Sequence, residues 1–327
     1  MKFTVRFQFL TVFVCLFFAA VAEAQPQKPP LKTAPLALQN SAALQTLLDA
    51  AVSETLQTFA AKNLKAENLA VTLIDLRDAK ALRTANFRGD QKIYPASVVK
   101  MFYLAAAHQW LKNGKLKDTP ELRRALRDMI VDSSNDATHQ IVDVLTGATG
   151  GGELSAPELK KWAYRREAVQ RYFTALGYTD INVVQKTYCE DLYGREYQFW
   201  YKGKNRNMLT TGATARLLAE IALGRAVDAE HSRQMMELLK RDPYKEDKDV
   251  DSQSVGFTGI ALKNIANARL WSKAGWTSAS RHDAAYVETP AGQKFVLVVY
   301  TEKFANERGI IPSIAEKIIN GLETIGR

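Results

Sequence analysis

Ser97 and Lys100 stand three residues apart in Tyr94-Pro95-Ala96-Ser97-Val98-Val99-Lys100. Pro95 ends an extended approach. The run after the serine (Val98, Val99, Met101, Phe102, Leu104, then three alanines) is apolar nearly all round, as a buried helix is. The pattern predicts a helix that begins at Ser97. Its hydroxyl would then lie beside backbone N–H groups without intrahelical partners, at the positive end of the helix dipole. One turn returns the Lys100 amine to the same face. A lysine held among apolar side chains must find a partner or lose its proton, and a neutral amine beside a hydroxyl is a general base beside a nucleophile. Taken alone, the same residues also suit a capping serine followed by a lysine that reaches out to water.

Two further sets could complete such chemistry. Ser133-Ser134-Asn135 interrupts two helical patterns, where a hydroxyl and an amide can face a cleft. Ser133 could carry a proton between Lys100 and a leaving nitrogen, and Asn135 could bind a substrate amide. Read alone, Ser133 equally caps the helix through Ala137. In Trp271-Ser272-Lys273-Ala274-Gly275-Trp276, Lys273 would place a positive charge for a carboxylate. Gly275 lets the backbone approach closely, and the Trp276 N–H could join that of Ser97 as an oxyanion hole. An edge-strand lysine is the plain alternative. His108, His139 and His231 are scattered over helical segments, and His282 reads as packing or hydrogen bonding on a strand. None has metal-ligand spacing, so neither metal nor cofactor is expected. Tyr188, Tyr193, Tyr197, Phe199, Trp200 and Tyr201 either line a substrate groove or pack a loop.

The elements that must position these residues follow from periodicity. Leu44 to Ala60 predicts an amphipathic helix, Leu69 to Leu76 and Ala81 to Phe87 a hairpin closed by Arg77–Lys80. After the serine helix, which Asn113-Gly114 ends, Thr119-Pro120 opens a helix with Leu122, Ala125, Leu126, Met129 and Ile130 on one face. Helices are expected over 137–145, 160–176, 211–223 and 232–239, with an irregular, aromatic, charged stretch over 177–203. The last third turns to sheet over 268–274, 281–288 and 295–301, the last of these apolar enough to be buried on both faces. A final helix spans 311–325. This order predicts an α+β fold: an antiparallel sheet flanked by helices from both chain ends, with an all-helical lobe over about 97–240 inserted into it. A cleft between lobe and sheet is where a site would lie.

Composition sets the outer bounds. The chain has 327 residues, 46% hydrophobic and 24% charged, ordinary for a globular protein. Lys2 and Arg6 precede an apolar run from Phe7 to Val21, and Ala22-Glu23-Ala24 follows with the small-x-small pattern of a signal-peptidase site. Residues 1–24 therefore read as a secretory signal and 25–40 as a flexible tether before a single catalytic domain over 41–327. The expected location is periplasmic or secreted. Cleavage would leave Cys189 as the one cysteine, so no internal disulfide can form. The net charge of +9 suits an anionic polymer such as a cell wall, while the lack of any basic-aromatic repeat argues against nucleic acid.

In this order, S-x-x-K, S-x-N and a K-A-G variant of K-T/S-G resemble the active-site set of the penicillin-recognising serine enzymes. The hairpin before Ser97, Asn207-Met208-Leu209-Thr210-Thr211 and Arg281-His282-Asp283-Ala284-Ala285 narrow the likeness to the class A β-lactamases, over about 69–301. The resemblance implies Ser97 as acylated nucleophile, Lys100 as base or relay and Ser133 as proton carrier. It implies Asn135 and Lys273 as substrate binders, with Ser97 and Trp276 N–H groups on the oxyanion; Gly275 is counted with the substrate-binding residues because it lets the backbone come close. It also implies a monomer acting on a small-molecule β-lactam or a cell-wall peptide, with peptidoglycan as a contact. Three departures stand out. The Ser97–Ser133 interval is shorter than in the best-known class A enzymes. Ala274 replaces a hydroxyl that helps hold the substrate carboxylate, for which Arg281, or Ser272, Thr277, Ser278 or Ser280, would have to compensate. The family's E-x-x-L-N loop pattern is missing, and Glu190, with Asp191 behind it, is the nearest carboxylate to serve as deacylating base. A D,D-peptidase, an amidase or esterase, and a non-catalytic binder of wall fragments therefore stay open beside a β-lactamase.

Overall fold

The computed structural model describes residues 35–188 and 192–325. The proposed signal, most of the tether and the Cys189-Glu190-Asp191 triplet lie outside the described residues. The elements are β1 (Gln39–Asn40), α1 (Ala42–Thr58), β2 (Leu69–Asp75), β3 (Arg83–Phe87), α2 (Lys100–Lys112), α3 (Pro120–Ile130), α4 (Asn135–Thr146), α5 (Ala156–Arg166), α6 (Ala168–Ala175), α7 (Gly194–Trp200), α8 (Thr211–Ala222), α9 (Ala229–Leu239), β4 (Lys240–Arg241), α10 (Gly259–Leu262), β5 (Arg269–Trp276), β6 (Ser280–Glu288), β7 (Lys294–Glu302) and α11 (Ile310–Thr324).

The strands form one seven-stranded sheet in the order β1-β3-β2-β7-β6-β5-β4. Every pairing is antiparallel except the short β1–β3 pair. β7 lies at the centre and is buried on both faces, as its continuous apolar run requires. One face (Val71, Leu73, Leu297, Val299, Val287) packs on α1 and α11 through Leu44, Leu48, Ile314 and Ile318. The other face (Ala70, Ile74, Val296, Val298, Ala284) meets α2, α8 and the helices that follow β3. The fold class is the α+β architecture expected, a sheet flanked by helices from both chain ends.

Local chemistry explains the boundaries. Ser41, Thr119, Thr210 and Asp228 cap α1, α3, α8 and α9, each side-chain oxygen accepting a first-turn N–H. Three expectations need correction. The helix over 160–176 is two, α5 and α6, broken at Glu167, whose φ and ψ are not helical. The irregular stretch after Gly177 contains α7, hidden from periodicity by its seven-residue length. The serine helix does not start at Ser97. A 3-10 turn covers Ala96–Val99, and α2 begins at Lys100.

Candidate active site

The 3-10 turn tightens the relation between Ser97 and Lys100. Three residues make a full turn in that geometry, so side chains at i and i+3 eclipse. Ser97 is half-buried, while Lys100 is fully buried. Ala96, just before the serine, has φ +46°, a left-handed conformation that costs a residue with a Cβ about 1–2 kcal/mol. Ser133 shares this conformation at φ +55°. Two strained residues thus flank one site.

The junction between α3 and α4 resolves the two readings of Ser133. Ser134, not Ser133, caps α4, its Oγ accepting the Ala137 N–H at 3.1 Å. The left-handed turn at Ser133 aims its hydroxyl at two amines: Lys100 Nζ at 3.3 Å and Lys273 Nζ at 3.0 Å. Lys100 also donates to the Ser133 carbonyl and, at 2.8 Å, to Asn135 Oδ1. Segments far apart in sequence converge here as the three motifs require.

Lys273 projects from β5 and is fully buried. Its ammonium donors meet Ser133 Oγ, Gln253 Oε1 at 2.7 Å and the Ala274 carbonyl at 2.8 Å. All three acceptors are neutral. Burial, then the neighbouring Lys100 and Arg241 charges, push the Lys273 amine well below its usual range, with the Asp283 carboxylate opposing them. Gln253 was missed in the sequence, because nothing in Asp251-Ser252-Gln253-Ser254 marks a residue that reaches β5.

Gly275 meets the Ser97 backbone directly. A Cβ there would sit 2.6 Å from the Pro95 carbonyl oxygen and 3.1 Å from the Ser97 nitrogen. The strand periodicity sets the N–H directions. The Thr277 N–H bonds Ser280 O across the hairpin, and that of Ala274 leaves the sheet for Gln253 Oε1 at 3.1 Å. Residues two apart on a strand share a side, so the Trp276 N–H turns to the same open edge, beside Ser97. The Trp276 indole is half exposed and donates to the Ala305 carbonyl.

Arg281 is a correction. Its guanidinium is buried rather than facing the cleft. It bonds Asp251 at 2.8 Å and the Gly256 carbonyl, and lies 4.0 Å over the Phe257 ring. Arg308 holds the same carboxylate from outside, at 2.8 Å on both oxygens. Hydrogen bonds from Arg308 and Arg281 hold the Asp251 carboxyl down to about 2 against the burial that opposes them. These arginines fasten the 249–256 strap that carries Gln253. Ala274 packs in the α1/α11 core.

His282 lies on β6 opposite Gly275 and is fully buried. Its Nδ1 accepts the Thr301 N–H at 3.1 Å, which fixes the proton on Nε2, and Nε2 donates to the Tyr94 carbonyl at 2.9 Å. Burial lowers it to about 4, so it stays neutral and pins the approach to Ser97.

Tyr94, Gln185, Tyr188, Tyr197, Trp200 and Arg206 line a cleft of about 510 Å³. Of the aromatic residues singled out in the sequence, Tyr188, Tyr197 and Trp200 thus face a groove. Phe199 instead packs on Trp162, and Tyr193 and Tyr201 are exposed. The cleft wall is tied at its base by Asn207, whose Oδ1 accepts the Val184 and Gln185 N–H groups, both at 2.9 Å, and whose Nδ2 donates to Gln185 O. Behind it lies an ion cluster in which Arg166 pairs with Glu196, and Lys186 with Asp143 at 2.8 Å. Both carboxylates are thus committed to cations. Glu190 lies outside the described residues. Among the described residues, no group of three or more His, Cys, Asp or Glu could hold a metal ion.

A model of the "Beta-lactamase enzyme family" matches residues 51–322. The chain belongs to this family. Solved structures agree on the fold. A beta-lactamase from Sphaerobacter thermophilus DSM 20745 superposes with a TM-score of 0.61 at 18% identity, over 86% of this chain and 99% of that one. PBP-A gives 0.59 at 16%, over 89% and 100%. A representative class A beta-lactamase from Bacteroides cellulosilyticus DSM 14838 gives 0.59 at 15%, over 86% and 99%. No curated protein matches by sequence. By family and fold the chain is a beta-lactamase-like serine hydrolase.

Proposed function

We propose that this hydrolase opens β-lactam amides through an acyl-enzyme on Ser97. The Ser97 oxygen attacks the lactam carbonyl carbon and its proton passes to the neutral Lys100 amine. The oxyanion that forms takes hydrogen bonds from the Ser97 and Trp276 N–H groups. The C–N bond then breaks as the Ser133 hydroxyl protonates the nitrogen, and Ser133 recovers its proton from the amines it bridges. Water hydrolyses the ester. Asn135 and Lys273 bind the substrate, whose acyl side occupies the aromatic cleft beside Tyr94. The observation that carries this reading is the Ser133 hydroxyl held between two buried amines, 3.3 Å from one and 3.0 Å from the other.

A second reading has its own support. Asp143 and Glu196 are tied to cations beside the segment where a deacylating base is sought. Losing a positioned general base costs ~10²–10⁴-fold in the step it serves. A D,D-peptidase or related amidase or esterase on cell-wall peptides would then acylate with penicillin and release it slowly. Among the structural neighbours, a PBP-A L158E mutant is an acyl-enzyme complex with penicillin G, at a TM-score of 0.59. A fluorescent penicillin used beside a chromogenic cephalosporin separates the two. Rapid loss of label with steady cephalosporin turnover supports the lactamase, and persistent label without turnover the peptidase. The chain is proposed to act as an exported monomer. Among the described residues no helix is long and apolar enough to cross a membrane.

A further inference from the structure

Gln253 uses the whole capacity of its amide. Its Oε1 accepts from Lys273 Nζ at 2.7 Å and from the Ala274 N–H at 3.1 Å. Its Nε2 donates to the Ile130 and Val131 carbonyls, at 3.0 and 2.9 Å, at the C-terminal end of α3. One side chain thus ties β5 to the helix end that leads, two residues on, into the Ser133 turn. The strap bearing it is held by Asp251 on Arg281 and Arg308.

The groups facing Lys273 come from every neighbouring element. Ser133 Oγ comes from the α3–α4 turn, Lys100 from α2, Arg241 from β4 and Asp283 from β6. No carboxylate lies within ion-pair distance of Lys273 among the described residues. Asp283 acts from farther off, its own carboxyl raised by burial and hydrogen-bonded by the Thr258 N–H. Two buried ammoniums sharing one hydroxyl would repel each other strongly. The Lys100 charge is one of the causes that push the Lys273 amine down, and a lowered ammonium is the better proton donor to the hydroxyl it holds.

We propose that Gln253 is a positioning residue for the acid that protonates the leaving nitrogen: it fixes Lys273 on the Ser133 hydroxyl and, by offering only a neutral oxygen, leaves Lys273 able to give that hydroxyl its proton. This rests on the acyl-serine reading above. In the step concerned, the C–N bond electrons take the Ser133 proton. Ser133 takes one from the Lys273 ammonium, which ends as a neutral amine. A carboxylate at position 253 would hold that proton in place.

The test pairs two substitutions of opposite sign. Gln253→Glu supplies a carboxylate to Lys273, and Gln253→Met removes the acceptor at similar size. Acylation rates with a fluorescent penicillin, followed against pH, give the readout. The alkaline limb, where Lys273 loses its proton, moves up by about one pH unit or more in Gln253→Glu and down in Gln253→Met. In parallel, protein labelled with ¹³C at the lysine ε-carbon reports the Lys273 titration directly, with the signal assigned by Lys273→Arg. Its midpoint should shift in the same two directions. If the wild type forms no Ser97 adduct, the acyl-serine reading fails, and the ¹³C titration still decides the role of Gln253. Thermal unfolding of both variants separates lost stability from a moved limb. Equal midpoints in wild type and both variants, or a loss of stability alone, overturns the proposal.

Discussion

Gly275→Ala tests whether β5 truly abuts Ser97. The new methyl would lie 2.6 Å from Pro95 O, 3.1 Å from Ser97 N and 3.1 Å from Val98 Cγ2. The first two are backbone atoms, so no side-chain rotation relieves them. Ordinary carbon–oxygen contacts begin near 3.3 Å, so strand and turn must part by roughly 0.7 Å. An oxyanion-hole donor works at about 2.7–3.1 Å, and a displacement of that size carries one beyond useful hydrogen-bond range. Losing one such donor costs ~10²–10³ in rate, about 2.7–4 kcal/mol. Overpacking costs a further ~1–3 kcal/mol of stability. The assay is single-turnover acylation by a fluorescent penicillin, with urea unfolding of the same samples. Acylation should slow by at least ~10²-fold in protein that remains folded. Wild-type acylation and stability together would refute the contact and the oxyanion hole built on it.

Three further perturbations address the supports. Asn207→Ala leaves the buried Val184 and Gln185 N–H groups without an acceptor, at about 1–3 kcal/mol each, and urea unfolding should register the loss. Glu196→Gln removes the carboxylate paired with fully buried Arg166, so stability should drop by about 3–5 kcal/mol, with an unchanged midpoint counting against the cluster. His282 and His108 are both lowered by burial to about 4. The unfolded chain therefore binds more protons between about pH 6.5 and 4. Stability is full above that window and declines as pH falls through it. Unfolding free energies flat across the window would contradict the buried, neutral imidazoles.

Residues whose chemistry acts locally were legible in the sequence. The apolar run after Ser97, the alternation and turn of the hairpin and the continuous strand over 295–301 state their burial directly, so the fold class followed from their order. Lys100, Ser133, Asn135 and Lys273 stood out because their residue types and spacing name chemistry they could do, and the structure places their side chains within hydrogen-bond reach of one another. What escaped depends on tertiary closure. Whether Ser133 capped a helix or faced a cleft turned on a left-handed φ and on Ser134 taking the cap. Arg281 looked available as a carboxylate ligand because its partner, Asp251, sits thirty residues earlier on a strap without regular structure. Gln253 and Asn207 carry no motif, since an amide bonded to backbone groups is invisible until the chain is folded. The 3-10 turn over Ala96–Val99 was hidden for a related reason: it lies against Gly275, a strand residue far along the chain, and sequence periodicity cannot register that contact.

The central claim is that Ser97 becomes covalently acylated. Intact-mass and peptide mass spectrometry after brief exposure to a penicillin test it most directly, with Ser97→Ala beside the wild type. The account predicts one penicilloyl addition on the peptide containing Ser97, absent from the variant. No addition to folded wild-type protein, or an addition that persists in Ser97→Ala, would contradict it.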